Sequence, residues 1–152
     1  MAEMGDFPQV TLHPGKHKRV KSGHPWIYAN EIAMTFDAKA LPPGTLVDVC
    51  NSGGELLGHG FFSPHSLVVV RMLGRGRAKM VSVDEIARRM DAAQTWRRQI
   101  FSEPFYRAIH AESDGLPGLI VDRFGDGIVC QLNSAGMEQH RSEVIDLSLI
   151  HI

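Results

Sequence analysis

The sequence predicts an α+β fold, in which a small, mostly β unit of barrel or sandwich type is followed by a helix and a partial α/β region. Three β-rich runs follow one another at intervals too short to hold helices: residues 45–50, 56–62 and 67–73. A long amphipathic pattern at residues 82–101 then predicts a helix. Three further short β-rich runs come after it.

The charge pattern also divides the chain into two parts. Residues 7–80 contain nine Lys and Arg against four Asp and Glu, a net charge of +5, whereas residues 81–152 contain seven against eleven, a net charge of −4. We therefore expect two units, 7–80 and 81–152, with different partners, and the basic unit is suited to a polyanion.

Composition limits the class of protein. The chain has 152 residues, of which 43% are hydrophobic and 22% charged, so it can bury a core and is neither disordered nor fibrous. It has no apolar run of about 18 residues and no export signal in residues 1–6, so neither a membrane nor export is expected. The two cysteines, Cys50 and Cys130, fit a reducing compartment, and we expect a cytoplasmic protein.

In the basic unit, residues 10–13 read as a short strand that ends at the turn pair Pro14-Gly15. One or two helical turns are expected over residues 16–22, followed by a strand or tight corner at 24–28. The turn formers at 51–54 predict a hairpin between the first two of the three β-rich runs.

In the acidic unit, Ser82 and Glu85 stand at the spacing of a helix capping box, immediately before the amphipathic pattern. Strands are expected at residues 107–111, 119–123 and 128–132, joined by turn formers. A last helix is expected to start near Ser134. Its apolar members are Met137, Val144 and Ile145.

Residues that could hold a cofactor or metal have simpler structural interpretations. Gly125-Asp126-Gly127 lies between two predicted strands, so a hairpin is favoured over a nucleotide-binding turn, which needs a helix after it. His13, His17 and His24 lack the close cysteines or acids of a zinc site. We expect no metal and no S-adenosylmethionine (SAM) site in this chain.

Candidate catalytic residues are also better explained by structure. Cys50 and Cys130 lie in apolar β-rich runs, where a free cysteine is usually core. Four acids form a cluster in the sequence, but several of them are suited to turns: Glu112, Asp114, Asp122 and Asp126. No catalytic residue is expected.

Two basic clusters are the stronger functional signal. The first contains Lys16, Lys18, Arg19 and Lys21, with His24, Trp26 and Tyr28 close behind, and the second contains Arg71, Arg75, Arg77 and Lys79. Cations contact phosphates and aromatic rings stack on unpaired bases, so RNA binding is one interpretation. A solvated basic surface is the other, and Trp26 taken alone is expected in the core.

Three strings resemble a known family. They are Gly15-Lys16 through His24-Pro25-Trp26-Ile27-Tyr28, then Gln94-Thr95-Trp96-Arg97, and then residues 112–126, which read ESDGLPGLIVDRFGD. In this order and at these intervals they resemble the SAM-dependent 23S rRNA cytosine-5 methyltransferases of the RlmI-like family. The resemblance extends from about Val10 to about Ile145.

The resemblance implies a PUA-like RNA-binding domain at residues 7–80, and a helix with an incomplete middle α/β domain at 81–152. The family's Rossmann-like methyltransferase domain, with its SAM loop and catalytic cysteine, is expected to lie outside these 152 residues, and neither Cys50 nor Cys130 matches the nucleophile. SAM is implied only for the full-length family. The chain is thus expected to be a truncated piece, inactive alone. Its RNA-binding residues are expected to be Lys16, Lys18, Arg19, Lys21, His24, Arg71, Arg75 and Arg77.

The main expectation is an RNA-binding amino-terminal part of an rRNA methyltransferase, which positions rRNA for a missing domain. The alternatives are a free-standing PUA-type RNA-binding protein without enzymatic activity and a degenerate fragment. Since later strands of the middle domain are missing, the second sheet is expected to keep an open edge and to favour self-association.

Overall fold

The computed structural model describes residues 7–152, and residues 1–6, which bear on the export expectation, lie outside the described residues. The fold divides into two units between Met80 and Val81, and each is described by itself. In the first unit, five strands form one mixed sheet in the order β1-β3-β4-β5-β2. Their bounds are Gln9–Thr11 (β1), Trp26–Tyr28 (β2), Thr45–Cys50 (β3), Leu56–Phe62 (β4) and Val68–Gly74 (β5).

Strand β1 runs parallel to β3, and the other pairs are antiparallel. The three central strands match the β-rich runs of the sequence, and the predicted hairpin joins β3 and β4. Strand β4 carries Gly58 and Gly60 because β5 passes close to it. A Cβ at Gly60 would lie only 2.3 Å from the carbonyl oxygen of Arg71.

Helix α1 (His17–Lys21), a 3₁₀ turn (Ala29–Glu31) and helix α2 (Phe36–Ala40) complete the first unit. Helix α2 has no counterpart among the elements predicted from the sequence. It is five residues long and buries only Ala38, so it has no apolar periodicity to detect. Its one local signal is Thr35, whose hydroxyl accepts a hydrogen bond from the Ala38 N–H.

The core of this unit is apolar and is supplied mainly by the sheet. Its fully buried members include Leu12, Ile27, Val47, Phe62 and Val70. Trp26 is half-buried at one edge of the sheet rather than part of this core, because Ile27 takes the inward position of the short strand β2. The expectation of a core tryptophan is therefore wrong.

The second unit is a three-stranded antiparallel sheet with helices. Strands β6 (Phe105–His110), β7 (Leu119–Phe124) and β8 (Gly127–Leu132) are neighbours in that order, and Gly125-Asp126-Gly127 forms the predicted hairpin turn between β7 and β8. Helix α3 spans Val83–Ile100, and the Ser82 hydroxyl caps it by accepting from the Glu85 N–H. Glu85 does not complete a capping box, because its carboxylate pairs with Arg88 and Arg89.

Two details of this unit differ from the sequence prediction. Ile86 and Met90 are buried, but Trp96 is 61% exposed although it falls within the predicted apolar pattern. The last helix is two helices, α4 (Ala135–Glu138) and α5 (Arg141–His151). They are separated at His140, whose N–H bonds to the Met137 carbonyl, three residues back, and neither Gln139 nor His140 is a residue type that signals a break.

No helix within residues 7–152 combines the length and hydrophobicity that a membrane crossing requires. Over the same range, His, Cys, Asp and Glu side chains form no group of three or more that could hold a metal ion.

Candidate nucleic-acid interface

Helix α1 presents the first basic cluster. Its buried residue is Val20, which faces the core, so Lys18 and Lys21 lie on the exposed side. The helix ends at Lys21, Gly23 just beyond it has a positive φ of 94°, and the His24 N–H returns to the Arg19 carbonyl. This ending satisfies carbonyls at the helix terminus and fixes the direction in which the chain leaves toward β2.

Arg19 is held by three neighbours within the unit. Its guanidinium lies 3.2 Å from the carboxylate of Glu31 and 2.9 Å from the His24 ring, and 5.2 Å from the centre of the Tyr28 ring. The Glu31 side chain is only 9% exposed, and its second oxygen accepts a hydrogen bond from the Tyr28 N–H. Arg19 therefore joins α1 to the segment that follows β2.

The aromatic residues of β2 connect this cluster with the second one. Trp26 and Arg71 are cross-strand partners, and the Arg71 guanidinium lies 5.4 Å from the centre of the indole ring. Trp26 and Tyr28 make an edge-to-face contact with ring centres 6.5 Å apart. A continuous row of cation, ring, ring and cation thus runs from Arg19 to Arg71.

Arg75 also reaches the first cluster, because its guanidinium donates to the carbonyl of Lys21 over 3.3 Å. The Lys21 ammonium lies 2.9 Å from the Glu55 carboxylate. This hydrogen bond from Lys21 is the main cause that lowers the pKa of Glu55, and the pair is exposed to solvent.

The contacts of Arg77 differ from those of the other predicted RNA-binding residues. It lies 3.3 Å from Asp48, a buried carboxylate on β3 that also accepts a hydrogen bond from the Ala78 N–H. Arg77 and Ala78 therefore anchor the chain that leaves β5, and within residues 7–152 no hydrogen bond or ion pair connects the Arg77 side chain to α1.

A groove of about 710 Å³ opens beside α1. Glu31 and the Arg19 guanidinium border it, and its other side chains are mixed in chemistry: Lys16, Lys18, Tyr28, Asn30 and Leu67. Within residues 7–152, the ammonium groups of Lys16 and Lys18 have no hydrogen-bond or ion-pair partner. Asn30 and Leu67 were not among the binding residues predicted from the sequence, since neither belongs to a basic or aromatic cluster.

The acids of the second unit serve its structure. Asp114 makes two hydrogen bonds to Arg97, of 2.7 and 2.8 Å, and accepts the His110 N–H at the adjoining 3₁₀ turn. Asp122 pairs with Arg107, and that hydrogen bond is the main cause that lowers its pKa. The turn interpretation thus holds for Asp114, and the partner, Arg97, lies too far away in sequence to be predicted.

The two cysteines lie in different surroundings. Cys50 is buried at the end of β3, and burial, followed by the nearby Asp48 charge, raises the pKa of its thiol. Cys130 is half-buried, with its sulfur 3.9 Å from the hydroxyl of the buried Ser148.

The groove does not fit SAM. The sulfonium of SAM is positively charged, and the groove is bordered by Lys16, Lys18 and Arg19, with Glu31 already paired to Arg19. The glycine turns at Asn51–Gly54 and Gly125–Gly127 join antiparallel strands and do not lead into a helix.

Comparison with known proteins relates the first unit to a protein family. Residues 10–75, most of this unit, match the family model described as a PUA-like domain.

The chain as a whole is similar to ribosomal RNA large subunit methyltransferase I. It is 40% identical to that protein from Pseudoalteromonas atlantica over 140 residues, which are 90% of this chain and 35% of the relative. It is 36% identical to the Shewanella denitrificans protein over 141 residues, 91% of this chain and 35% of that one. The resemblance to an amino-terminal portion of the RlmI-like methyltransferases is confirmed, and the chain spans about a third of the length of these relatives.

Solved structures show the same fold. A putative SAM-dependent methyltransferase from Streptococcus mutans superposes with a TM-score of 0.77 at 14% identity, covering 92% of this chain and 36% of that one. A second structure, of a putative methyltransferase complexed with SAH, gives a TM-score of 0.75 at 15% identity with the same coverage. At this level of identity the likeness establishes the fold, and the predicted α+β class is confirmed.

Proposed function

We propose that this chain is the RNA-binding part of a SAM-dependent rRNA cytosine-5 methyltransferase, and that it holds rRNA for methylation by a separate catalytic domain. The observation that carries the proposal is the joining of the two basic clusters into one face. Arg75 bonds to the end of α1, while Arg19 and Arg71 flank the paired rings of Trp26 and Tyr28. Distant parts of the sequence thereby supply cations and aromatic rings to one surface, which suits phosphates and bases together.

The proposed RNA-binding residues divide by role. Lys16 and Lys18 have no partner within the described residues, so they contact phosphates directly, and Lys21 and Arg75 extend the same surface. Arg19 contacts the His24 ring and lies over the Tyr28 ring, and Arg71 lies over the Trp26 ring. These three residues therefore orient the aromatic rings. Arg77 is paired with the buried Asp48, so its part in RNA binding is indirect.

The names of the relatives support rRNA as the RNA in question. The methyl transfer itself is proposed for the catalytic domain of such an enzyme, where SAM supplies the methyl group. This chain's residues bind and position the RNA, and no step of the transfer is assigned to them.

The salt dependence of RNA affinity tests the proposal. Each phosphate contact adds about 0.7 to 0.9 to the slope of log affinity against log salt. We expect Lys16→Ala/Lys18→Ala to reduce that slope by roughly 1.4 to 1.8, because two contacts are lost. Fluorescence anisotropy with an rRNA fragment, repeated across a range of salt concentrations, gives the slope.

Lys39→Ala/Arg98→Ala is the matched control, since it removes the same charge from exposed positions that lie outside both basic clusters and do not border the groove. The control should keep nearly the wild-type slope. Equal slopes for the two double variants, or no RNA binding by the unaltered chain, would show that this face is not the RNA-binding surface.

A further inference from the structure

The groove beside α1 has more than a basic rim. Its volume of about 710 Å³ lies within the range of small-ligand sites, and one wall is apolar. Leu67, in the β4–β5 connection, is 75% exposed, and its carbonyl accepts the Ala29 N–H over 3.0 Å. The hydrogen bond from the backbone of the 3₁₀ turn thus fixes Leu67 at the groove, where its aliphatic side chain is exposed.

The aromatic wall is held in place before any ligand arrives. The Tyr28 ring has the Arg19 guanidinium 5.2 Å from its centre and the Trp26 ring against it at an interplanar angle of 89°. Its backbone N–H is fixed by Glu31. A ring that is already oriented loses little conformational entropy on binding, which favours affinity.

The groove also has a group that can read a base edge. Asn30 is exposed, and its side-chain amide makes no hydrogen bond within residues 7–152. An amide offers one acceptor and two donors side by side, the pattern with which asparagine pairs with nucleobase edges. Lys16 and Lys18 lie on the same groove and can meet the phosphates on either side of such a base.

We infer that this groove binds one unpaired nucleotide of the RNA, with its base against Tyr28 and Leu67, its edge at Asn30 and its phosphates at Lys16 and Lys18. The inference rests on the proposed RNA-binding function and specifies its substrate as RNA with an unpaired base. A paired base does not fit this site, because its faces are covered by its neighbours in the stack and its edge by its partner. A basic surface alone would bind paired and unpaired RNA alike.

Two RNA hairpins test this inference, identical except that one carries a single bulged nucleotide and the other is fully paired. We expect the chain to bind the bulged hairpin about 5- to 150-fold more tightly, the range that stacking of one base provides. Leu67→Ser and Asn30→Ala should each reduce this preference several-fold and leave the affinity for the paired hairpin unchanged. Asn30→Ala should also reduce differences among the four bases at the bulge, since it removes the amide that reads the edge.

Phe36→Ser is the matched control, because Phe36 is an even more exposed apolar side chain, at 87%, that does not border the groove. It should keep the full preference for the bulged hairpin. Circular dichroism of each variant checks that its fold is unchanged.

The outcomes separate this inference from the proposed function. Equal binding of the two hairpins with a steep salt slope would overturn the inference and leave general RNA binding intact. An unchanged preference in Leu67→Ser and Asn30→Ala would also overturn it. If free nucleoside monophosphates bind as tightly as the bulged hairpin, the groove is a nucleotide pocket and the inference is wrong. If neither hairpin binds, the proposed function itself fails.

Discussion

Arg19 illustrates why a basic residue in a cluster is not always available to a ligand. Its terminal nitrogens contact Glu31 and the His24 ring, and its guanidinium lies against Tyr28. The sequence places Arg19 with Lys16, Lys18 and Lys21 as equivalent cations. The structure distinguishes them, because only Arg19 is the partner of a nearly buried carboxylate.

We expect Arg19→Ala to lower the free energy of unfolding by about 1 to 3 kcal/mol, the usual cost of leaving a buried charged group without a partner. Lys18→Ala, one position away, should change it by no more than about 0.5 kcal/mol, because its side chain is exposed and unpaired in the described structure. Urea unfolding of the two variants gives both values. Equal stability of the two variants would contradict the assigned role of Arg19. A loss of RNA binding in Arg19→Ala therefore has to be corrected for stability.

Among the elements, α5 differs from the strands of the first unit in how much apolar surface it leaves uncovered. Val144 is fully buried, but Leu149 is 70% exposed, and Ile145 and Ile150 are exposed as well. With later strands of the middle domain expected to be missing, the sequence predicts that the apolar side of the last helix, with Met137, Val144, Ile145 and Leu149, loses part of its cover. Met137, in α4, and Val144, in α5, are buried. The exposed apolar side chains are Ile145, Leu149 and Ile150.

We expect amide hydrogen exchange to be faster in residues 145–151 than in strands β3 to β5. The reason is that α5 has one well-covered face, whereas those strands lie in the middle of a sheet with a buried core. Exchange followed by mass spectrometry measures this in a dilute sample, with β7, the central strand of the other sheet, as an internal reference. Protection of α5 equal to that of β3 would show that the helix needs no further cover.

Strand β8 is an edge strand in the second sheet, with β7 as its neighbour there. Open edges favour pairing with another chain. Self-association through this edge stays a prediction, and sedimentation velocity at increasing concentration decides it. A single monomeric species at every concentration would contradict this prediction.

For the whole molecule, the similarity to rRNA methyltransferases has to be separated from the activity of such enzymes. The chain spans about a third of the relatives' length, and its groove is bordered by positive charges. Its two thiols are buried or half-buried, and the pKa of Cys50 is raised.

We expect the chain alone to show no SAM binding at micromolar concentration and no methyl transfer to rRNA. Cationic side chains repel the sulfonium, and a thiol with a raised pKa is a poor nucleophile. Isothermal titration calorimetry with SAM, alongside a titration with RNA as the positive control, measures this. A clear SAM-binding isotherm would reverse the conclusion that these residues do not fit the cofactor.

The sequence determined most of the local structure. The strands β3, β4 and β5 and the long helix α3 followed from alternation, periodicity and the Ser82 cap, since these signals lie within a few residues of one another. The β7–β8 hairpin followed from its glycine turn for the same reason. Helix α2 and the break at His140 were missed. Helix α2 has the Thr35 cap but no apolar periodicity, and neither Gln139 nor His140 is a residue type that signals a break.

Only the tertiary structure decided how the candidate site is composed. Arg75 meets Lys21, Arg19 meets Glu31, and Leu67 joins Asn30 at the groove, although each pair is separated by at least twelve residues of sequence. Sequence clustering measures which residues are near along the chain, whereas binding depends on which are near in space and which already have a partner. The sequence could therefore predict a basic unit with a charge suited to RNA. The division between lysines that have no partner among residues 7–152, a structural arginine and a mixed groove came from the folding of α1, β2 and the β4–β5 connection onto one face.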